Sequence, residues 1–493
     1  MRDRDKRYIW LYAAMSAVMF AGMVIYSGFQ EFWYDEVYQI GLVGSGTSLK
    51  DVIKNYAQLK DYTPPLYALI SYFWVRLVPF SFRFLLLISE IMTSVGGFLT
   101  AMAAERAYGK KAGLLAGIFV MTSSVLVLAS GYEFRAYSLY FMAAAMVLYF
   151  LAGRVSGTGK YNLVCYTLSL ILLFYSHYYG SVVIGILFLI ELFLVIVRKQ
   201  KIVTIFPYIV SGLCFLPWMV LVLLNRTRSI TEFWVQPPDL QSVFELINYL
   251  CSENDFLIAI FCLGMAVCIV HVVCRLKQKR FVYSQDAMMV YVPGIVLGVM
   301  AAVFLYSTVI NPGGGIFLNR YFVGMLPFCF FIMAYGTLWL YKGFCPVLEK
   351  RDPQAFVVLA VSMFLFICII NGNTFMSGIK KEQTISYTSS VKELSRKEDI
   401  HDTDTIVVVS DNSCVRAGVE MYFERLFSTK AEVISQHDET FARDVIRYKK
   451  IYLFRGKQPL TEETKRILSE YKLVQKDHKN RITEYSGLGN DEQ

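Results

Sequence analysis

The chain has 493 residues, of which 56% are hydrophobic and only 18% are charged. In soluble domains about a quarter of the residues are charged, so this composition excludes a soluble globular protein and indicates a polytopic membrane protein. The net charge of +9 does not indicate nucleic acid binding, because Lys and Arg are enriched in cytoplasmic loops and no nucleic-acid-reading motif accompanies them. The ten Cys do not have the spacing of a disulfide or zinc framework.

The apolar segments predict the membrane topology. A spanning helix needs about 20 mainly apolar residues. The first such segment is too long for a cleaved signal peptide, so we interpret it as a retained helix. The sequence predicts eleven spans, at 8–28, 83–105, 111–130, 136–153, 161–177, 179–197, 203–224, 256–274, 287–309, 320–341 and 354–372. They form a transmembrane domain over residues 1–373.

Residues 64–80 are ambiguous, because this apolar segment is short, begins with two prolines and contains Arg76. It is either a twelfth span or a helix lying in the membrane interface. If it does not span and the N-terminus is cytoplasmic, the inner loops hold 19 Lys and Arg in 49 residues, against 7 in about 100 residues of outer loops. This asymmetry follows the positive-inside rule. We therefore expect a plasma-membrane protein with a first outer loop at 29–82.

Residues 374–493 are polar enough to form a separate extracytoplasmic domain. Buried strands alternate there with amphipathic helices, which is typical of a small α/β unit with a largely parallel sheet. The predicted strands are 404–410, 431–435, 450–454 and 480–486. The predicted helices are 413–428, 439–448 and 461–473.

Polar residues near membrane depth are expensive and are functional candidates by default. Asp35 and Glu36 directly follow the first span. Adjacent carboxylates there could serve as a general base or as cation ligands, or they could be two solvated loop acids. Asp61 and Tyr62 precede Pro64-Pro65, and paired prolines fix the start of a helix. The alternative for this second motif is an ordinary entry from a loop into a helix.

A third motif, Glu133-x-Arg135-x-Tyr137, lies between the third and fourth spans. The planar guanidinium of Arg suits phosphate oxygens, and Glu133 could orient it. The alternative is an interfacial ion pair or an Arg that snorkels to the interface. His177 lies in the tight turn between the fifth and sixth spans. It belongs either to an interfacial aromatic cluster or to the functional site.

Arg320 and Tyr321 precede the tenth span and follow a glycine run. Arg320 is a second candidate for binding phosphate, or a snorkelling Arg at the outer face. Weaker candidates in the loop 225–255 are Arg226, Arg228 and Trp234. In the predicted topology all of these motifs face the outer side.

This combination of carboxylates, arginines and aromatic residues restricts the chemistry. The sequence has no Walker loop, kinase motif, HExxH motif or nucleophile elbow. Nucleotide donors are not supplied outside the membrane, so a transferase there needs a donor that reaches it from the bilayer. A polyprenyl-phosphate sugar meets this need, with its tail between helices, its phosphate at an Arg and its sugar facing a carboxylate.

The chain resembles the GT-C glycosyltransferases, in the branch of the protein O-mannosyltransferases and lipid A aminoarabinose transferases (family 39-like, bacterial type). The resemblance covers residues 1–345. It rests on Asp35-Glu36, Pro64-Pro65-Leu66-Tyr67, Glu133-x-Arg135-x-Tyr137, His177-Tyr178-Tyr179 and Arg320-Tyr321. One departure is Thr63, which stands where many relatives have His before the prolines. The short loop 225–255 matches the bacterial members.

The resemblance implies an inverting transfer in which Asp35 is the general base and Glu36 orients it or the acceptor. It also implies that Arg320 and Arg135 hold the donor phosphate, and that 64–80 contains a juxtamembrane helix. The remaining candidates would bind substrate: Asp61, Tyr62, Glu133, Tyr137, His177 and Tyr321.

The expected partners are a polyprenyl-phosphate sugar donor, membrane lipid and an acceptor glycan, lipid or protein, with no nucleic acid. The sequence does not require a divalent cation as a cofactor. If one binds, Asp35 and Glu133 are its candidate ligands. The main alternative is a flippase or transporter of lipid-linked sugars, although the repeated halves of many transporters are not seen here. A surface-glycan polymerase or ligase and a non-catalytic receptor are further alternatives.

Overall fold

The structure is a computed structural model of the chain. It describes residues 3–487 except for 30, 33, 45, 59–60, 62, 129–130, 132, 158–161, 199–200, 227–234, 312–314, 345–353, 384–387, 411–412, 456–457 and 478–480. The described chain divides into two compact units. The first unit, the membrane unit, comprises 1–26, 45–74 and 86–378. The second unit comprises 27–44, 75–85 and 379–493.

Helices account for most of the described chain. The first five are α1 (Asp3–Ser27), α2 (Tyr34–Val43), α3 (Leu49–Ala57), α4 (Leu66–Leu77) and α5 (Phe82–Tyr108). They are followed by α6 (Lys110–Met121), α7 (Ser124–Leu128), α8 (Tyr137–Val155), α9 (Asn162–Ser176), α10 (Tyr178–Arg198), α11 (Phe206–Asn225) and α12 (Leu240–Leu250). The next are α13 (Asp255–Lys277), α14 (Tyr283–Asp286), α15 (Met288–Leu305), α16 (Leu326–Phe344) and α17 (Ala355–Gln383). A 3₁₀ segment, Asn319–Met325, leads into α16.

Nine helices in the described ranges are long and apolar enough to cross a membrane, and each coincides with a predicted span. The predicted span 161–177 is the 15-residue helix α9. The predicted span 111–130 is interrupted, because α6 ends at Met121 and α7 begins at Ser124.

Helix α4 has 12 residues, which at 1.5 Å per residue is about 18 Å long. A hydrocarbon core is about 30 Å thick, so α4 is too short to cross a bilayer alone. The interpretation of 64–80 as a helix that does not span is therefore the one that agrees with its length.

The membrane helices pack closely where small residues meet. A Cβ placed on Gly336 of α16 would lie 2.5 Å from the Gly264 Cα of α13. A Cβ on Gly324 would overlap the ring of Tyr140. Small residues at helix crossings let backbones approach closely in membranes, where dispersion rather than hydrophobic burial drives association.

Two pairs of polar side chains lie at one end of the membrane helices. Arg154, in the last turn of α8, pairs with the buried carboxylate of Glu191 in α10. His271 Nε2 lies 2.8 Å from Asp286 Oδ1. Arg135 precedes the opposite end of the 19-residue helix α8, which is about 28 Å long. The candidate site residues near the start of α8 are therefore remote from both pairs.

The second unit contains a five-stranded sheet in the order β2-β1-β3-β5-β4. Its strands are β1 (Thr405–Val409), β2 (Val433–Ser435), β3 (Lys450–Phe454), β4 (Tyr471–Asp477) and β5 (Ile482–Gly487). Its helices are α18 (Thr388–Leu394), α19 (Ser413–Leu426), α20 (Phe441–Val445) and α21 (Glu462–Ser469). Strand β1 pairs in parallel with β2 and β3, and one core cluster is built around Ile406, Val408, Ile451 and Leu453.

The predicted alternation of strands and helices is present, with one correction. The helix expected over 461–473 ends at Ser469, and Tyr471–Asp477 forms β4, which was not predicted. Strands β5 and β4 run antiparallel, so the sheet is mixed. The Leu473 and Val474 side chains are exposed, so β4 lacks the alternation of a half-buried strand. The predicted domain boundary at 373/374 falls inside α17.

Candidate functional site

Asp61 is buried in front of α4. Its carboxylate accepts a hydrogen bond from the Thr63 hydroxyl (2.9 Å), and its residue is 4% exposed. Pro64 and Pro65 follow, and the Leu69 N–H donates to the Pro65 carbonyl (2.9 Å), so the helix begins directly after the prolines as the sequence predicted. Thr63 thus orients the nearby acid.

Asp61 pairs with Arg135, which lies just before α8. Arg135 Nη1 is 2.6 Å from Asp61 Oδ2, and the two side chains are 13% and 2% exposed. Charge-assisted hydrogen bonds of this length are strong. The sequence suggested Glu133 as the residue that orients Arg135. The structure gives Arg135 a carboxylate partner, Asp61, from the first predicted outer loop.

The buried pair predicts a stability effect. Asp61→Asn leaves the Arg135 charge buried without its carboxylate, and breaking such a pair commonly costs about 3–5 kcal/mol. We expect the free energy of unfolding, measured by steric trapping in bicelles, to fall by about that amount. The double variant Asp61→Asn/Arg135→Gln should recover most of the loss, because an amide pair carries no buried charge. A single variant as stable as wild type would contradict this assignment.

Five rings pack together beside this pair, and we call them the ring cluster: Tyr137, Tyr140, His177, Tyr179 and Tyr321. The His177 ring stacks on Tyr140, with ring centroids 5.0 Å apart and planes 18° apart. Tyr321 lies 5.4 Å from His177 and 5.6 Å from Tyr179. Residues from α8, from the turn between α9 and α10, and from the segment before α16 therefore meet at one end of the membrane helices.

His177 is electrically neutral in this cluster. Burial, together with the nearby positive charges of Arg135 and Arg320, lowers the pKa of its imidazole to about 3. Its Nδ1 accepts the Tyr179 backbone N–H (3.2 Å), which places the proton of the neutral ring on Nε2. His177 therefore offers a hydrogen-bond donor and an aromatic face, and it is not an acid at neutral pH.

This pKa predicts how stability depends on pH. The pKa of His177 is near 6.5 in the unfolded chain and about 3 in the folded chain, so between these values only the unfolded chain takes up the proton. The free energy of unfolding is therefore unaffected by protonation of His177 above pH 6.5. As the pH falls below 6.5 it decreases, by about 2 kcal/mol at pH 5. Unfolding of wild type and His177→Gln should be compared at pH 7.5 and pH 5. An equal loss in both proteins would contradict the prediction.

Arg320 lies in the 3₁₀ segment before α16. Its guanidinium carbon is 5.9 Å from the centre of the Tyr321 ring, and its charge acts on both His177 and Tyr137. The preceding loop is anchored, because the Tyr179 hydroxyl donates to the Ile316 carbonyl and the Ile316 N–H donates to the Ser307 hydroxyl (3.1 Å). Arg320 and Arg135 therefore lie close to the same ring cluster.

Asp35 and Glu36 belong to the second unit. They occupy the first turn of α2, where the positive end of the helix dipole stabilises carboxylates. Glu36 is 5% exposed and Asp35 is half-buried. A reacting base needs access to its substrate, so of the two acids Asp35 is the better placed to accept a proton.

The remaining candidates are less informative. Glu133 is half-buried, and its charge acts on Tyr137. Arg226 is exposed at the end of α11. Tyr62, Arg228 and Trp234 lie outside the described residues. Within the part of the chain that the structure describes, no group of three or more His, Cys, Asp or Glu side chains could hold a metal ion.

Sequence reasoning missed Tyr140, which stacks on His177. The available signal was its spacing, because Tyr137 and Tyr140 are three residues apart and such residues share a helix face. Gly324 was also missed. It packs against the Tyr140 ring, where a Cβ would overlap.

Comparison with known proteins shows the fold. No family model matches the sequence, and no curated protein gives a significant match. The structure is similar to two crystal structures of ArnT from Cupriavidus metallidurans, each with a TM-score of 0.54 and 98% of both chains covered. The identity is 12% for ArnT bound to undecaprenyl phosphate and 13% for the apo state. AglB from Archaeoglobus fulgidus, in complex with an inhibitory peptide and a dolichol-phosphate, is 10% identical with a TM-score of 0.46.

The chain therefore has the GT-C fold that its motifs predicted, a polytopic membrane domain with a small C-terminal sheet region.

Proposed function

We propose that this chain is a membrane glycosyltransferase that transfers a sugar from a polyprenyl-phosphate donor to an acceptor hydroxyl, with inversion. The observation that carries the proposal is the meeting of Arg135, Arg320 and a neutral His177 at one end of the helices of a GT-C fold. Two cationic groups beside a buried aromatic cluster suit a phosphate attached to an apolar chain. The undecaprenyl phosphate bound to ArnT supports this class of donor.

The two arginines have different roles in the proposal. The charge of Arg135 is balanced by Asp61 at 2.6 Å, so Arg135 orients the phosphate more than it neutralises it. Arg320 adds a second positive charge for the phosphate as the bond to the sugar breaks. Stabilising charge that develops in the transition state, where water is scarce, is commonly the largest catalytic contribution.

In the proposed reaction Asp35 accepts the proton of the acceptor hydroxyl as the acceptor oxygen attacks the anomeric carbon. The bond from that carbon to the phosphate oxygen breaks at the same time, and its electron pair leaves with polyprenyl phosphate. One displacement inverts the anomeric centre.

Other residues would bind the substrate. Tyr137, His177 and Tyr321 present aromatic faces that can cover a sugar or the first prenyl unit. Asp61 and Glu133 are acceptors for sugar hydroxyls, although Asp61 mainly holds Arg135. We also propose that this end of the helices faces the outside of the plasma membrane, as the distribution of Lys and Arg in the loops predicts.

The test is a transfer assay in membranes that contain the overproduced protein and the native acceptors. A panel of radiolabelled undecaprenyl-phosphate sugars is added, and label is followed from the lipid fraction into acceptor fractions. We expect transfer with one sugar of the panel, and none in membranes that lack the protein. Label that stays lipid-linked but moves to the opposite leaflet would support a flippase instead.

A further inference from the structure

The helix that carries Asp35 and Glu36 packs against the C-terminal part of the chain. Residues 27–44 belong to the same compact unit as 379–493, and α2 lies along α19. At Gly418 of α19, an added Cβ would be 3.6 Å from Val37 Cγ2 and 3.9 Å from Val37 Cγ1. Val37 directly follows Glu36, so α19 contacts α2 next to the acid pair.

The chain entering α2 is held by the same helix. The Tyr422 hydroxyl of α19 donates to the Phe32 carbonyl (3.4 Å). The ring of Phe82 packs edge-on against both Phe32 and Tyr422, with centroid distances of 4.6 and 5.4 Å. The Glu31 carboxylate accepts the backbone N–H of Thr388 (2.9 Å). The segment before α2 is therefore fixed by residues more than 350 positions away in the sequence.

The far end of α2 is capped by a side chain. The Arg76 guanidinium donates to the Val43 and Gly44 carbonyls, each at 2.9 Å. Carbonyls at a helix C-terminus lack partners within the helix, and a cation there also favours the helix dipole. Both ends of α2 are thus anchored by residues outside it.

These contacts determine whether α2 forms at all. Isolated helices shorter than about 12–15 residues are marginal in water, and α2 has 10 residues. Its apolar residues Val37, Ile40 and Val43 are 6%, 5% and 0% exposed. Because this helix cannot be stable on its own, the packing surface sets where its first turn lies.

We propose that Gly418 and Tyr422 are positioning residues for Asp35, and that the C-terminal α/β domain holds the general base in its reactive position. The inference rests on the proposed function, since it takes Asp35 as the base. Glycine at 418 leaves room for Val37, so α2 sits close to α19. A side chain larger than Ala at 418 would push the first turn of α2 away, and a misplacement of about 1 Å can cost about 10²-fold in rate.

The test changes the size of the side chains on the two sides of the α2–α19 contact. Gly418→Val adds a branched side chain against Val37. We expect kcat for sugar transfer to fall about tenfold to a hundredfold, while KM for the labelled undecaprenyl-phosphate sugar stays within about twofold. Gly418→Ala is the matched control, because its Cβ makes an ordinary contact at 3.6 Å, and it should keep the wild-type kcat.

Rescue separates positioning from folding. The double variant Gly418→Val/Val37→Ala restores the space between the helices and should recover most of the lost kcat. All four proteins are also compared by thermal melting in detergent. A low kcat that the double variant does not recover, together with a lower melting temperature, would mean that the contact is only structural and would overturn the proposal.

The outcome for Asp35→Asn distinguishes this inference from the proposed function. If Asp35→Asn abolishes transfer but Gly418→Val keeps the wild-type kcat, the positioning role is wrong and the transferase stands. If Asp35→Asn transfers sugar normally, the assigned base is wrong and the positioning role falls with it.

Discussion

Asp35→Asn is expected to lower kcat for sugar transfer by about 10²–10⁴-fold, the usual contribution of a general base. The substitution keeps the shape of the side chain at the first turn of α2 but removes the group that takes the acceptor proton. Donor binding should persist, because the proposed phosphate ligands are Arg135 and Arg320. The measurement is kcat and KM for a labelled undecaprenyl-phosphate sugar, with protein amount checked by immunoblot.

Two further variants are compared with Asp35→Asn. Glu463→Gln changes an exposed acid in the first turn of α21 and should leave kcat unchanged. Glu36→Gln should have a smaller effect than Asp35→Asn, because Glu36 is 5% exposed and orients the acceptor or Asp35 without taking the proton. Wild-type kcat in Asp35→Asn would show that the base lies elsewhere.

Arg320→Ala is expected to lower kcat by about 10²–10³-fold, the usual cost of removing one preorganised charge-stabilising donor. The reason is its place close to the ring cluster that Arg135 also approaches. Removal of Arg320 takes away one of the two positive charges proposed for the leaving phosphate. The measurement is the single-turnover rate of donor cleavage in proteoliposomes at saturating donor.

Arg320→Lys keeps the charge and loses the planar fork of donors, so its rate should lie between those of wild type and Arg320→Ala. Arg443→Ala removes an exposed arginine of the second unit (side chain 67% exposed) and should not change the rate. If Arg320→Ala and Arg443→Ala cleaved donor equally fast, Arg320 would not hold the phosphate.

The membrane part of the fold was predictable because a spanning helix depends on a local count of apolar residues. The interruption of 111–130 between Met121 and Ser124 was not predicted, since a count of apolar residues along this segment does not mark it. In the second unit the parallel strands were predicted from buried apolar runs. Strand β4 was missed because its exposed Leu473 and Val474 give no alternation, and it directly follows a helix.

The motifs of the candidate site were visible in the sequence, but their pairing was not. One partner of Arg135 is Asp61, 74 positions away, and neither motif indicates the other. The support of α2 by Gly418 and Tyr422 is still more remote in sequence. Such contacts follow from tertiary packing, which short motifs do not encode.

The measurement that tests the transferase most directly is the stoichiometry of bond cleavage. Membranes with the wild-type protein are given the undecaprenyl-phosphate sugar that the panel selects. Free undecaprenyl phosphate is then counted by mass spectrometry and labelled acceptor by scintillation. We predict one undecaprenyl phosphate released for each sugar transferred, with the rate of formation of both products lowered about 10²–10⁴-fold in Asp35→Asn. Donor that crosses the bilayer intact, with no undecaprenyl phosphate released, would contradict the account.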